Sequence, residues 1–245
     1  MKKLKVFLTL ASLCVGGMAF AKEDTIRFGT NPEYPPFEFK TEAGEVTGFD
    51  IDIANAICAE LQKKCVYVAQ SFDSLIPNLR LKRFDAIISS MDITEERQKH
   101  VTFSEPYYLN PSVFVAMAGQ FKSVDDFKTK EIGVLNGTTH QQYIKENFKE
   151  ANIKNYPQYP NAMSDLEIGR VNVVFGDEVV VAEFIKRNNK LEVVGEQVND
   201  PEYFGNGLAI AVLPKNTELL AEINGALKKI KEDGRYQTIY EKWFK

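Results

Sequence analysis

The chain reads as an α/β protein of two lobes, each a central sheet with flanking helices, joined by two hinge crossings. Three observations predict this. Short β-rich runs alternate with helical patterns in two successive blocks, and a βαβ rhythm of that kind builds an open, mostly parallel sheet covered by helices. After each block an apolar run carries the chain onward, at Pro106 to Ala118 and at Tyr203 to Leu213, so it leaves the first block and later returns to it. Polar side chains gather at the strand ends, where open α/β sheets hold their ligands.

In order, the first block places a strand at Ile26 to Gly29, a helix from Asp50 to Lys64, a strand at Val66 to Val68, a helix from Phe72 to Lys82 and a strand at Phe84 to Ser89. A short polar loop then enters a helix that begins near Thr94. Pro111 and the apolar run Val113 to Met117 form the outward crossing. The second block has a strand at Glu131 to Leu135, a helix from Thr139 to Phe148, a short helix from Asn161 to Gly169, a strand at Val171 to Phe175 and a helix from Glu178 to Lys186. Gly205 and Gly207 precede Leu208 to Val212, the return crossing. A closing helix over Thr217 to Phe244 packs on the first lobe through Ile230, Tyr236, Tyr240 and Trp243, whose helical spacing makes one apolar face. The boundaries that follow are 22–110 with 206–245 for a discontinuous first lobe, and 111–205 for the second, hinge strands included.

Residues 1–21 read as a secretory signal peptide. Lys2, Lys3 and Lys5 form a basic start, an apolar run follows, and Ala19-Phe20-Ala21 fits a small-x-small site with cleavage after Ala21. Cys14 makes a poor lipoprotein site, because Leu13 precedes it where a small residue is wanted. No later segment approaches the ~20 apolar residues of a membrane helix. Losing three lysines and no acid takes the formal charge from −4 to −7. An acidic chain with no basic block is a poor partner for nucleic acid or a membrane surface.

Cys58 and Cys65 remain after processing, and an oxidising compartment lets them pair. Seven residues of helix span ~10.5 Å, whereas a disulfide allows only ~4.4 to 6.8 Å between Cα atoms. The helix must therefore end between them, with Gln62, Lys63 and Lys64 as its last turn and Cys65 opening the next strand. A zinc site is the rival, but two thiols without a nearby histidine supply too few ligands, so no metal and no cofactor is expected.

The richest segment is FDAIISSMDITEERQKHVTFSEPYY, residues 84–108. Arg97 falls in the first turn of a helix, whose positive end favours anions, so one incoming anion satisfies both. Ser89, Ser90 and Asp92 stand beside it. A cation for a carboxylate and an acid for an ammonium together complement a free amino acid. Asn31 and Tyr34 follow the first strand on a loop stiffened by Pro32, Pro35 and Pro36, and Phe72 is a candidate second aromatic wall. Gly137 permits a tight turn before Thr138 and Thr139 open a helix whose free amides can hold a carboxylate. Asp177 at another strand end can take an ammonium. Each has an ordinary alternative: a packed tyrosine, a core phenylalanine, a surface ion pair from Arg97 to Glu95 or Glu96, capping by Thr138, or an N-cap at Asp177.

Taken together, YPPFEF with GFDIDIANAIC, SFDSLIPNL, FDAIISSMDIT with Arg97, GVLNGTTH, Phe175-Gly176-Asp177, YFGNGLAIAV and DGRYQTIYEKWF resemble the polar amino-acid-binding proteins of bacterial ABC importers. The resemblance covers essentially the whole mature chain and falls in the lysine, arginine, ornithine and histidine branch, nearest in wording to its arginine-binding members. It implies the two-lobed periplasmic binding protein fold. It also implies periplasmic capture of a cationic amino acid by a monomer that delivers to an inner-membrane permease, without catalysis. Arg97 then takes the α-carboxylate, helped by Ser90 and the Thr139 amide, and Asp177 takes the α-ammonium with Asp92 beside it. Tyr34 and Phe72 sandwich the side chain, and a guanidinium stacks there better than an ammonium. Two positions depart from some relatives, which carry an acid at Asn31 and a serine at Asp92; Glu33 and Glu38 are substitutes for the missing acid. His140, where glutamine is more usual in the branch, reads as a loop residue. The alternative is a lyase on the same scaffold, similar to cyclohexadienyl dehydratase, with a cleft carboxylate as general acid.

Overall fold

Two five-stranded sheets and a small three-stranded one share the strands in the computed structural model of the protein, which describes residues 24–204 and 206–245. In chain order the elements are β1 (Thr25–Thr30), β2 (Glu33–Tyr34), β3 (Glu38–Lys40), β4 (Val46–Thr47), α1 (Phe49–Glu60), β5 (Lys64–Ala69), α2 (Leu75–Arg80), β6 (Ala86–Ile87), α3 (Glu95–Gln98) and β7 (Thr102–Phe103). There follow β8 (Ser112–Met117), β9 (Glu131–Leu135), α4 (Thr139–Asn147), β10 (Asn152–Tyr156), α5 (Tyr159–Glu167), β11 (Val173–Asp177), α6 (Glu178–Arg187), β12 (Leu191–Val198), β13 (Ala211–Val212), α7 (Thr217–Glu232) and α8 (Arg235–Phe244). The signal peptide reading of residues 1–21 lies outside the described residues.

The first sheet has the order β5-β1-β6-β13-β7, the second β10-β9-β11-β8-β12 and the small one β2-β3-β4. Strands within each βαβ unit run parallel, as expected of strands joined through helices, while β13 and β8 enter antiparallel from the crossings. The second sheet contains two strands that the sequence reading did not place, β10 and β12, and they are its two edges. The outward crossing is β8 itself, as predicted, but the return contributes only the two residues of β13 as strand.

The two crossings lie side by side. Tyr107 N–H donates to the Leu208 carbonyl and Leu208 N–H to the Tyr108 carbonyl, at 2.9 and 2.8 Å. Ile93 and Ala209 extend the ladder, Ile93 N–H to Gly207 at 3.0 Å and Ala209 N–H to Met91 at 3.0 Å. Gly207 sits at φ 77°, and a Cβ there would lie 2.6 Å from the Tyr108 carbonyl oxygen, so close approach of the two segments requires glycine.

The first lobe buries Phe28, Phe37, Phe49 and Phe84, and the second packs Phe114 on Phe175 with ring centroids 4.3 Å apart. The expected closing helix is two helices. Asp233 and Gly234, with Gly234 in the left-handed region at φ 88°, break it, because glycine turns there without steric cost. The bend lets Tyr236, Tyr240 and Phe244 surround Phe49, and the Tyr236 hydroxyl donates to the Tyr107 carbonyl at 2.6 Å. Ile230 is fully buried and Trp243 half-buried, its indole donating to Asp52.

Cys58 and Cys65 form a disulfide with Cα atoms 5.9 Å apart. The helix ends earlier than predicted, at Glu60 rather than Lys64, and Gln62 at φ 55° turns the chain back into β5. In the chain-entropy account, closing so short a loop contributes about 2 to 3 kcal/mol. The double variant Cys58→Ala, Cys65→Ala is expected to lose that amount in urea unfolding with little change in slope; an unchanged midpoint would show that the bridge only decorates an already fixed turn.

Candidate functional site

Behind the cleft, a turn after β6 is held by two buried acids. Ser90 has φ 45°, which aims its N–H at Asp50 Oδ2, 2.7 Å away, and the Tyr107 hydroxyl donates to the same oxygen at 2.9 Å. The hydroxyls of Ser89 and Ser90 donate to the two oxygens of Glu38 at 2.8 and 3.1 Å. Ser89 in turn accepts from the Asn31 N–H at 2.9 Å, and the Asn31 amide donates to the Gln70 carbonyl. Burial is the main force raising the affinity of both acids for protons. It lifts Asp50 to about 6, and together with the neighbouring Asp50 charge it carries Glu38 well above the usual carboxylate range. The pair therefore holds a proton that solvated carboxylates would release.

Thr94 caps α3 by accepting the Arg97 N–H, which fixes where the arginine leaves the helix. Arg97 is buried, not paired with Glu95 or Glu96 on the surface. Its guanidinium donates to the Asp92 carbonyl at 2.8 Å and to the Gly137 carbonyl at 3.3 Å, lies 3.8 Å from the Asp92 carboxylate, and sits 5.3 Å over the Phe72 ring. Phe72 thus backs the arginine. Across the cleft, Thr138 caps α4 and Thr139 donates its hydroxyl to Asp92 Oδ2 at 2.7 Å. Gly137, at φ 76°, lets this turn approach Asp73, which a Cβ would meet at 2.8 Å.

The shifts on Arg97 and Asp92 both oppose their pairing. Burial lowers the arginine, and burial followed by the charge of Asp177 pushes Asp92 up to about 6 despite the nearby guanidinium. A single buried cation does not compensate the acids around it.

Asp177 ends β11 and opens α6, yet its side chain makes no capping hydrogen bond. Its carboxylate is turned instead to the cleft, where the Tyr34 hydroxyl donates to Oδ2 at 2.7 Å and His140 Nε2 stands 3.3 Å from Oδ1. His140 is a correction to the sequence reading. It is not a loop residue but a buried member of the first turn of α4.

Asn31, Tyr34, Phe72, Ser89, Ser90, Asp92, Thr138 and Asp177 line one cavity together with Glu38, Leu135 and His140. Arg97 and Thr139 line an adjoining pocket that meets it at Thr138. The inner cavity, about 10 Å³, is about the size that admits one water. Glu38, offered from the sequence only as a substitute acid, and His140, read as a loop residue, join the lining, as does Leu135, which the sequence reading did not single out. Of the two substitute acids, Glu38 faces the cavity, whereas Glu33 lies 4.0 Å from Lys40.

Acids and one guanidinium enclosed between two sheets, with the chain crossing twice, define a two-lobed solute-binding protein. The chain matches the bacterial extracellular solute-binding proteins, family 3, over residues 26–245, and it belongs to that family. It is 47% identical over 244 residues to the putative ABC transporter arginine-binding protein 2 of Escherichia coli K12, covering 100% of this chain and 99% of the relative. It is 48% identical over 235 residues to the arginine-binding periplasmic protein of Mannheimia haemolytica, covering 96% and 97%. A solved Salmonella typhimurium periplasmic binding protein, described for its high arginine specificity, superposes with a TM-score of 0.88 at 43% identity, covering 91% of this chain and 100% of that one. These relatives are transport binding proteins, so the chain is a binding protein and the lyase alternative falls away.

Raised carboxyl affinities have a definite sign in stability. A folded-state value above the unfolded one contributes stability that is present below about pH 4 and lost as pH rises through the folded value, about 6 for Asp50. Glu38→Gln removes one member of the pair while keeping an acceptor for the serines. The melting temperature of the variant relative to the parent is expected to rise from pH 4 to pH 8 in thermal unfolding by circular dichroism; a constant difference across that range would mean the pair is not proton-coupled.

Proposed function

We propose that the protein captures a cationic L-amino acid, arginine foremost and lysine, ornithine or histidine more weakly, between its lobes and delivers it to an ABC permease of the inner membrane. The observation that carries this is the uncompensated acidity of the cleft: Asp92 and Asp177 are buried with Arg97 as their cation, and Asp92 is held up at about 6. A ligand with two positive groups and one negative group supplies the missing charge. Arginine-binding relatives at 47% and 48% identity support the same choice.

In this reading Arg97 holds the α-carboxylate with Ser90 and the Thr139 amide, and Asp177 holds the α-ammonium with Asp92. Tyr34 and Phe72 flank the side chain, while Asn31, Ser89 and Thr138 complete the lining. The lobes are 22–110 with 206–245, and 111–205. The Tyr34 hydroxyl presently occupies Asp177, so an ammonium arriving there replaces a hydrogen bond of 2.7 Å with a charged one. The lobes part to admit the ligand and close around it, a hinge motion about the paired crossings. Closure strips water from the charged groups, so a ligand lacking one of them leaves a buried group unpaired, which is the source of selectivity. The mature protein acts as a periplasmic monomer after cleavage behind Ala21.

Titration calorimetry with a panel of amino acids is expected to rank arginine first; preference for glutamate or a neutral amino acid would overturn the assignment. Removing one partner of a buried charge pair costs about 3 kcal/mol or more. Arg97→Ala and Asp177→Asn should therefore each weaken arginine by over roughly a hundredfold, and near-parental affinity in either would move the site elsewhere.

A further inference from the structure

We propose that His140 is a positioning residue that couples the ammonium-binding carboxylate of Asp177 to a proton, so that amino-acid capture weakens on mild acidification. The inference rests on the functional reading above. Nε2 of His140 lies 2.9 Å from Ser112 Oγ and 3.3 Å from Asp177 Oδ1. All three residues are more than nine-tenths buried, and Ser112 is the strand partner of Asp177 in the β8–β11 ladder, so the imidazole is aimed by backbone geometry. The ring is wedged between Phe175 and Phe204, at centroid distances of 5.1 and 5.2 Å, which prevents it from swinging away.

An ionised carboxylate accepts hydrogen bonds only, so the neutral ring that suits this place carries its hydrogen on Nε2, bonded to Ser112 Oγ at 2.9 Å with Asp177 Oδ1 3.3 Å away. Oδ2 meanwhile accepts from the Tyr34 hydroxyl in the cavity. A second proton on Nδ1 turns the donor into a full cation at the same distance. The carboxylate is then already paired, and the ligand ammonium meets a neutral couple instead of an anion. The charged groups around the imidazole are Asp177 from β11, 3.3 Å away, and Asp92 from the turn after β6; the Tyr34 phenol of β2 is bonded to the first of these acids and the Arg97 guanidinium of α3 lies 3.8 Å from the second. The ligand ammonium repels an imidazolium beside the same carboxylate, and by reciprocity what expels the proton on ligand binding weakens the ligand on protonation. Imidazole is the side chain whose charge changes between about pH 5 and 8.

The test is arginine calorimetry from pH 8 to pH 5 on the full mature protein, His140→Gln and His140→Ala, each repeated in buffers of different ionisation enthalpy. The chain has two histidines, His100 and His140, so the imidazole resonance missing from His140→Gln in NMR identifies His140 directly. The parent is expected to lose affinity roughly 5- to 150-fold on acidification, the usual span of site coupling, and to release protons on binding near pH 6. His140→Gln, which keeps an N–H for Asp177 without a titratable ring, should show a flatter profile and less proton release. His140→Ala should bind more weakly than His140→Gln at every pH. Equal pH profiles in the parent and His140→Gln, or an imidazole titration unmoved by arginine, would overturn the coupling while leaving arginine capture intact. No arginine binding by the parent at pH 8 would overturn the proposed function and this inference together.

Discussion

Everything in the cleft follows from burying several carboxylates around one guanidinium. Charges taken out of water must find partners or protons, since the desolvation of each ion costs several kcal/mol in a real protein. The chain uses both solutions. Glu38 and Asp50 retain a proton and spend their oxygens on Ser89, Ser90 and Tyr107, which makes a rigid floor. Asp92 and Asp177 take hydroxyls from Thr139 and Tyr34 across the cleft and remain short of positive charge. A binding protein gains from that shortage, because the ligand that relieves it is bound by what the fold lacks.

The sheets make this arrangement possible by placing the acids at strand ends and at a bridge between strands. Asp177 is the last residue of β11 and Glu38 the first of β3, while Asp92 bridges to Leu208 beside the first sheet. Side chains at such positions inherit the precision of the ladder, and second contacts such as Ser112 to His140 lock them further. Strand ends, rather than helix faces, therefore supply most of the charged lining.

Much of this was legible in the sequence, and the misses have physical causes. The central strands β1, β9 and β11 announce themselves as apolar runs because both of their faces are covered. β10 and β12 went unread because each is a sheet edge, with Asn152, Lys154, Asn155, Glu192 and Glu196 exposed or half-exposed among the apolar residues, so no clean alternation survives. Arg97 was legible from its awkward place in a helix turn. What Glu38 and His140 touch was not, because their surroundings come from distant segments: Ser89 lies 51 residues from Glu38, and Ser112 28 residues from His140. The break in the closing helix was signalled by Asp233-Gly234 but was outweighed by the apolar spacing on either side, which continues through the bend.

The pairing of the two crossings carries a mechanical consequence. Met91 and Ile93, which flank the acid Asp92, are hydrogen-bonded to Ala209 and Gly207 of the return crossing. The crossing and the acid that lines the cleft are therefore one piece of backbone. On the proposed reading, a pull on Asp92 by the ligand is a pull on the return crossing as well, much as in a latch whose bolt is cut from its own hinge. In that reading, the angle a permease would meet between the lobes carries the chemistry of the cargo.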